Sequence, residues 1–127
     1  MKMISTNIHG LIDYIMGILL IAIPWSYPAI YPDYALFVPS VVGTGIILYS
    51  IFTRYERGLI KIIPMSVHLS LDVMAAIILG ISPWIFGFNK QVFLPHVLIS
   101  IFMLIIIICS SYEPFVEKRI TESYNRN

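Results

Sequence analysis

The sequence predicts an all-α membrane protein. It should have four transmembrane helices, arranged as two parallel helix-pair repeats related by a pseudo-two-fold axis along the membrane normal. Three observations predict it. The 127 residues are 58% hydrophobic and 12% charged, with a mean hydropathy of +0.86, whereas a soluble domain is about 45–50% apolar and about 25% charged. The charges gather between four apolar stretches. A His-x-x-x-Asp motif followed by Pro-Trp also occurs twice at one spacing.

Composition removes whole classes of function first. So few charges cannot coat a soluble globule, which argues against a soluble enzyme and against a disordered chain. A net charge of +1 offers no basic footprint, so no nucleic-acid partner is expected. A single cysteine, Cys109, precludes an intrachain disulfide framework and a multi-thiolate metal site. The partners expected are the lipid bilayer and either further copies of the chain or another membrane protein.

The four stretches are about Ile8–Tyr27, Ala35–Phe52, Ile62–Phe86 and Val92–Ser111, each near the ~20 residues that span a ~30 Å hydrocarbon core. The first is read as a retained helix rather than a signal peptide, because His9 and Asp13 interrupt its apolar core and no small-x-small cleavage site follows. Pro24 and Pro83 fall near the ends of the first and third helices, where a lost N–H is tolerated. Pro39, Pro64 and Pro95 fall near the starts of the second, third and fourth, where proline costs little. The segment 114–127 reads as a short amphipathic or frayed tail.

Orientation follows from the basic residues. Lys2, Arg54, Arg57, Lys61, Lys118, Arg119 and Arg126 fall on one side and Lys90 alone on the other. Both termini are therefore expected in the cytoplasm, with the chain multi-pass in the cell (inner) membrane. The opposite side collects Trp25, Tyr27, Tyr31, Tyr34, Trp84, Phe86 and Phe88, an interfacial aromatic belt.

The internal repeat defines one membrane domain over 1–127, with repeat one at about 5–58 and repeat two at about 64–113. His9, Asp13, Pro24 and Trp25 match His68, Asp72, Pro83 and Trp84, all at an offset of 59. In the second helices, Phe37-Val-Pro39 matches Phe93-Leu-Pro95 at an offset of 56, which pairs His96 with Ser40. Each repeat holds two helices, so both enter the membrane in the same direction. The run Ser82-Pro83-Trp84-Ile85-Phe86-Gly87-Phe88 resembles the signature of the SPW repeat family of small prokaryotic membrane proteins, whose unit is a helix pair. The first copy, Ile23-Pro24-Trp25, keeps Pro and Trp without the Ser. The resemblance implies topology and no activity, and it makes Pro24, Trp25, Pro83 and Trp84 a structural signature.

Asp13 and Asp72 are the only Asp, Glu, Lys or Arg within the four stretches. An ionisable group at that depth costs from ~2.5 to over 10 kcal/mol unless it turns inward to a partner. The His four residues before each Asp lies one turn away on the same face. If the first and third helices meet at the axis, His9, Asp13, His68 and Asp72 converge. The leading expectation is that these pairs pin the helix contact in a non-catalytic scaffold or accessory subunit, with no cofactor. The alternative is a protein that binds a divalent metal through the four residues, or a haem between the two His. A proton-coupled transporter subunit is third. No catalytic set is evident. Trp25 and Trp84 are expected to be interfacial anchors, and so is His96.

Overall fold

The computed structural model describes residues 3–29 and 32–126, apart from the side chains of 115–118. Among the described residues there are five helices: α1 (Thr6–Ser26), α2 (Asp33–Ile51), α3 (Met65–Ile85), α4 (Leu94–Cys109) and α5 (Phe115–Tyr124). Lys2 and Tyr31, assigned above to the basic side and the aromatic belt, lie outside the described residues, as does the side chain of Lys118.

Helices α1, α2 and α3 are 21, 19 and 21 residues long and apolar enough to cross a membrane. Helix α4 has 16 residues, about 24 Å at 1.5 Å per residue, and is shorter than its apolar stretch suggests. Gln91 and Val92 sit in a turn closed by N–H bonds to the Phe88 carbonyl. At the other end, Ser110 is extended and bridges Ile4. Ser5 caps α1, its Oγ accepting from the Ile8 N–H at 3.3 Å, an arrangement that contributes about 1 kcal/mol. Pro32 and Pro64 stand immediately before α2 and α3. Pro39 departs from expectation. Helix α2 begins at Asp33, so Pro39 is interior and leaves the Ala35 carbonyl without its helical N–H.

The helices pack in pairs, α1 on α2 and α3 on α4, and α2 also touches α3. Small residues set both crossings. A Cβ on Gly43 would stand 2.6 Å from the Gly17 carbonyl oxygen, so only glycine permits that approach. At the other crossing, Ser100 Oγ donates to the Ala76 carbonyl at 2.7 Å.

The two halves repeat one another in detail. Each of the seven buried residues of α1 has a buried counterpart 59 positions later in α3. The backbone link Thr53↔Ile63 has its counterpart in Ile4↔Ser110. Arg54 N–H donates to Ile63 O just as Ser111 N–H donates to Ile4 O. The second helices therefore correspond at an offset of 57 over this end, one residue beyond the 56 of the Phe-x-Pro match. The buried residues Pro39, Gly43 and Ile46 of α2 and His96, Ser100 and Met103 of α4 keep the same offset of 57. At 57 the partner of His96 is Pro39, not Ser40.

Leu20, Val38, Val42, Ile46, Ala76, Leu79 and Met103 form the apolar core. The outward faces are apolar too: Leu11, Ile15, Ile18, Val41, Leu48, Met74, Ile78, Leu98, Ile101 and Ile105 are all exposed. A soluble monomer rarely shows an apolar patch beyond a few hundred Å². Lipid is the solvent that this surface fits.

Candidate metal centre

The helix pairs bring all four sequence-predicted residues together. His9, Asp13, His68 and Asp72 are all buried, and one ligating atom from each lies within 4.8 Å of the others. Spacing along the helices aligns each His with its own Asp, but the shorter contacts cross between repeats. His9 Nε2 is 3.0 Å from Asp72 Oδ2, and His68 Nε2 is 3.0 Å from Asp13 Oδ2. Within each repeat the distances are 3.4 Å for His9–Asp13 and 3.2 Å for His68–Asp72.

The other imidazole nitrogens decide the chemistry. His9 Nδ1 is 2.6 Å from Ser110 Oγ, whose hydroxyl donates to the Ile106 carbonyl at 2.6 Å. His68 Nδ1 is 2.8 Å from Thr53 Oγ1, whose hydroxyl donates to the Tyr49 carbonyl at 2.7 Å. Each hydroxyl has spent its only proton on a carbonyl, so toward the ring it can only accept. The network therefore assigns the Nδ1 proton to both rings. In a neutral imidazole, Nε2 is then a bare lone pair, and here it faces carboxylate oxygens that are themselves acceptors. A proton shared between each ring and its facing carboxyl, or one divalent cation, must lie between them. Either solution neutralises the two aspartates.

Sequence reasoning missed three contributors. Thr53 and Ser110 look like ordinary helix-end hydroxyls. Tyr49 donates its hydroxyl to Asp72 Oδ1, and its ring packs edge-on against His68 at 5.1 Å. The 57-residue offset places Ile106 where the second repeat would need a tyrosine, so Asp13 receives no equivalent bond. Next to Asp13, between α1 and α4, lies a cavity of about 20 Å³ lined in part by His9, Asp13, Asp72 and Ile106. That is room for about one water molecule. Tyr55, in the α2–α3 connection, is 1% exposed and lies over His68 at 5.4 Å between ring centres. Burial pushes its phenol above the ordinary tyrosine range.

The remaining candidates lie apart from this cluster. Trp25 and Trp84 are more than half exposed, with Trp25 Nε1 donating to Ser40 Oγ at 2.8 Å and Trp84 packed on Phe93. Phe88 is 2% exposed and so does not belong to the aromatic belt. His96 is not interfacial either. It is 3% exposed, packs on Phe88 at 5.1 Å, and neither ring nitrogen has a hydrogen-bond partner among the described residues. The Ala35 backbone that Pro39 leaves unpaired approaches its ring without completing a bond.

A metal fits the cluster and a haem does not. The His9 and His68 rings meet edge to face at 5.4 Å, leaving no slot for a porphyrin between them. Four ligands at ~2.0–2.1 Å from a tetrahedral ion stand about 3.3–3.4 Å apart. The His–Asp distances of 3.0–3.4 Å are near that edge length, although Asp13 reaches His9 through Oδ1 and His68 through Oδ2, and one ligating atom from each residue lies within 4.8 Å of the others.

Fold and cluster together define the class: a helical membrane protein built from two helix pairs, with a buried His/Asp centre where they meet. The SPW repeat domain matches residues 7–110, and the chain belongs to the SPW repeat family. No curated protein and no solved structure matches it.

Proposed function

We propose that the protein is a membrane-embedded divalent-metal-binding protein whose centre is His9, Asp13, His68 and Asp72. One observation carries the reading: both Nδ1 atoms are held as donors by hydroxyls already committed to carbonyls, so both Nε2 lone pairs converge on the carboxylates. Histidine ligands of metals have this arrangement, the far nitrogen donating to a fixed acceptor. Two nitrogen and two oxygen donors in four-coordinate geometry suit zinc best among common divalent ions, with ferrous iron next.

In this reading all four helices cross the inner membrane, and the repeats turn about a pseudo-two-fold axis along its normal. The paired links Thr53↔Ile63 and Ile4↔Ser110 and the reciprocal His–Asp contacts support the axis. Both termini lie in the cytoplasm, in keeping with Arg54, Arg57 and Lys61 between α2 and α3.

A second reading is favoured by the shorter cross-repeat contacts. In it the rings are imidazoliums, and two ion pairs staple the halves of a non-catalytic scaffold. Full-length protein, stripped with chelator and reloaded with zinc, separates the two. The metal reading expects about one zinc per chain and stabilisation of about 2.7 kcal/mol at a hundredfold excess over Kd. It also expects Asp13→Asn and Asp72→Asn to lose zinc while staying folded. A stable protein that takes up no zinc or iron, and whose melting ignores chelator, would leave the staple and contradict the metal.

A further inference from the structure

The two aspartates are not equivalent, and the difference lies in the repeat itself. Helix α2 supplies Tyr49, whose hydroxyl holds Asp72 Oδ1 and whose ring closes the α2–α3 side against His68. The matching position in α4 is Ile106, which has no donor and no ring. Asp13 Oδ2 meets His68, while among the described residues Oδ1 faces His9 Nε2 at 3.4 Å. The place that a phenol would occupy is the cavity of about 20 Å³ between α1 and α4, which is not fully enclosed and opens toward their seam. His9, Asp13 and Asp72 line that cavity, and the rest of its wall is apolar, including Met16, Phe102 and Met103.

We propose that the centre, already held by its four protein ligands, has one open face on the Asp13 side where it expands to take a fifth, small monodentate ligand entering through the α1–α4 seam. The inference rests on the metal reading above. Structural metal sites are shielded on every side by the protein, whereas reactive zinc sites leave a face accessible and can expand from four to five ligands. Here the closed side and the open side are the same structural position in two repeats, occupied by tyrosine in one and isoleucine in the other. The ligand is of about one water's size at the ion. The apolar seam favours neutral molecules or anions that arrive protonated.

Cobalt(II) in place of zinc gives a spectroscopic readout, since its visible d–d bands report coordination. Azide is the probe, being monodentate, small, and neutral when protonated. Wild-type protein loaded with cobalt is expected to show a saturable band shift on azide addition. Ile106→Tyr and Ile106→Phe should keep about one cobalt per chain yet need at least about tenfold more azide, because they fill the cavity. Ile106→Ala should respond at least as readily as wild type. Ile106→Phe keeps the test open if the tyrosine variant fails to fold. Cobalt bound with no azide response in wild type overturns the open face while leaving the metal reading intact. An equal response in the filled variants also overturns it, since the ligand would then not use this cavity. Failure of cobalt, zinc and iron alike to bind removes the metal reading and this inference with it.

Discussion

Two hydroxyls, Ser110 and Thr53, decide which nitrogen of each imidazole faces the aspartates. Ser110→Ala or Thr53→Val removes the acceptor for one Nδ1–H and frees that ring to turn. Each should weaken zinc binding about 10–100-fold, the usual effect of removing a group that orients a metal ligand, with the helical far-UV spectrum unchanged. A chelator competition titration measures this directly. His96 predicts the opposite kind of effect. Its buried nitrogens have no hydrogen bond of good geometry among the described residues, and an unsatisfied buried group costs about 1–3 kcal/mol, so His96→Leu should raise the melting temperature in detergent. A lower melting temperature would mean that the ring has a partner worth keeping. At this scale the His-x-x-x-Asp motif was legible, since an Asp deep in an apolar stretch needs a partner. Tyr49, Thr53 and Ser110 were not legible. Thr53 and Tyr49 bond residues 15 and 23 positions away, and Ser110 bonds His9 across 101, and nothing local distinguishes such residues from other membrane-helix residues.

At the level of helices, small residues at the two crossings determine how closely each pair packs. Gly43→Leu would place side-chain atoms against the Gly17 carbonyl and Leu20. It should destabilise the α1–α2 pair by about 1–3 kcal/mol, the usual penalty of overpacking. Gly45 has open space around its Cβ position, so Gly45→Leu serves as the neutral control, and thermal melting of both variants checks the contrast. The helices themselves were legible from apolar runs and proline positions, because lipid demands about 20 residues and internal backbone bonding. The length of α4 was not legible. Hydropathy carries through Val92 and Ser111, but backbone geometry stops the helix at Leu94 and Cys109. Pro39 misled for a related reason: the apolar stretch begins at Ala35, yet Asp33 and Tyr34 form the first turn of α2.

The two helix pairs follow one plan, and they differ where Tyr49 of the first is matched by Ile106 of the second. The duplication was readable because His, Asp, Pro and Trp are conspicuous against Leu and Ile. The offset of 57 in the second helices was not, since it depends on bonds between the helix ends. The topology predicts that reporters fused at either terminus are cytoplasmic and that one inserted beside Lys90 is external. A C-terminal reporter on the outer side would mean an odd number of crossings. The central claim is that one divalent ion is held between the repeats by two imidazoles and two carboxylates. X-ray absorption at the zinc edge of the reloaded full-length protein tests it most directly. The account predicts about four nitrogen and oxygen ligands near 2.0–2.1 Å, with multiple scattering from two imidazoles that falls to one in His9→Gln or His68→Gln. A zinc spectrum without imidazole scattering, or one unchanged in both histidine variants, would contradict it.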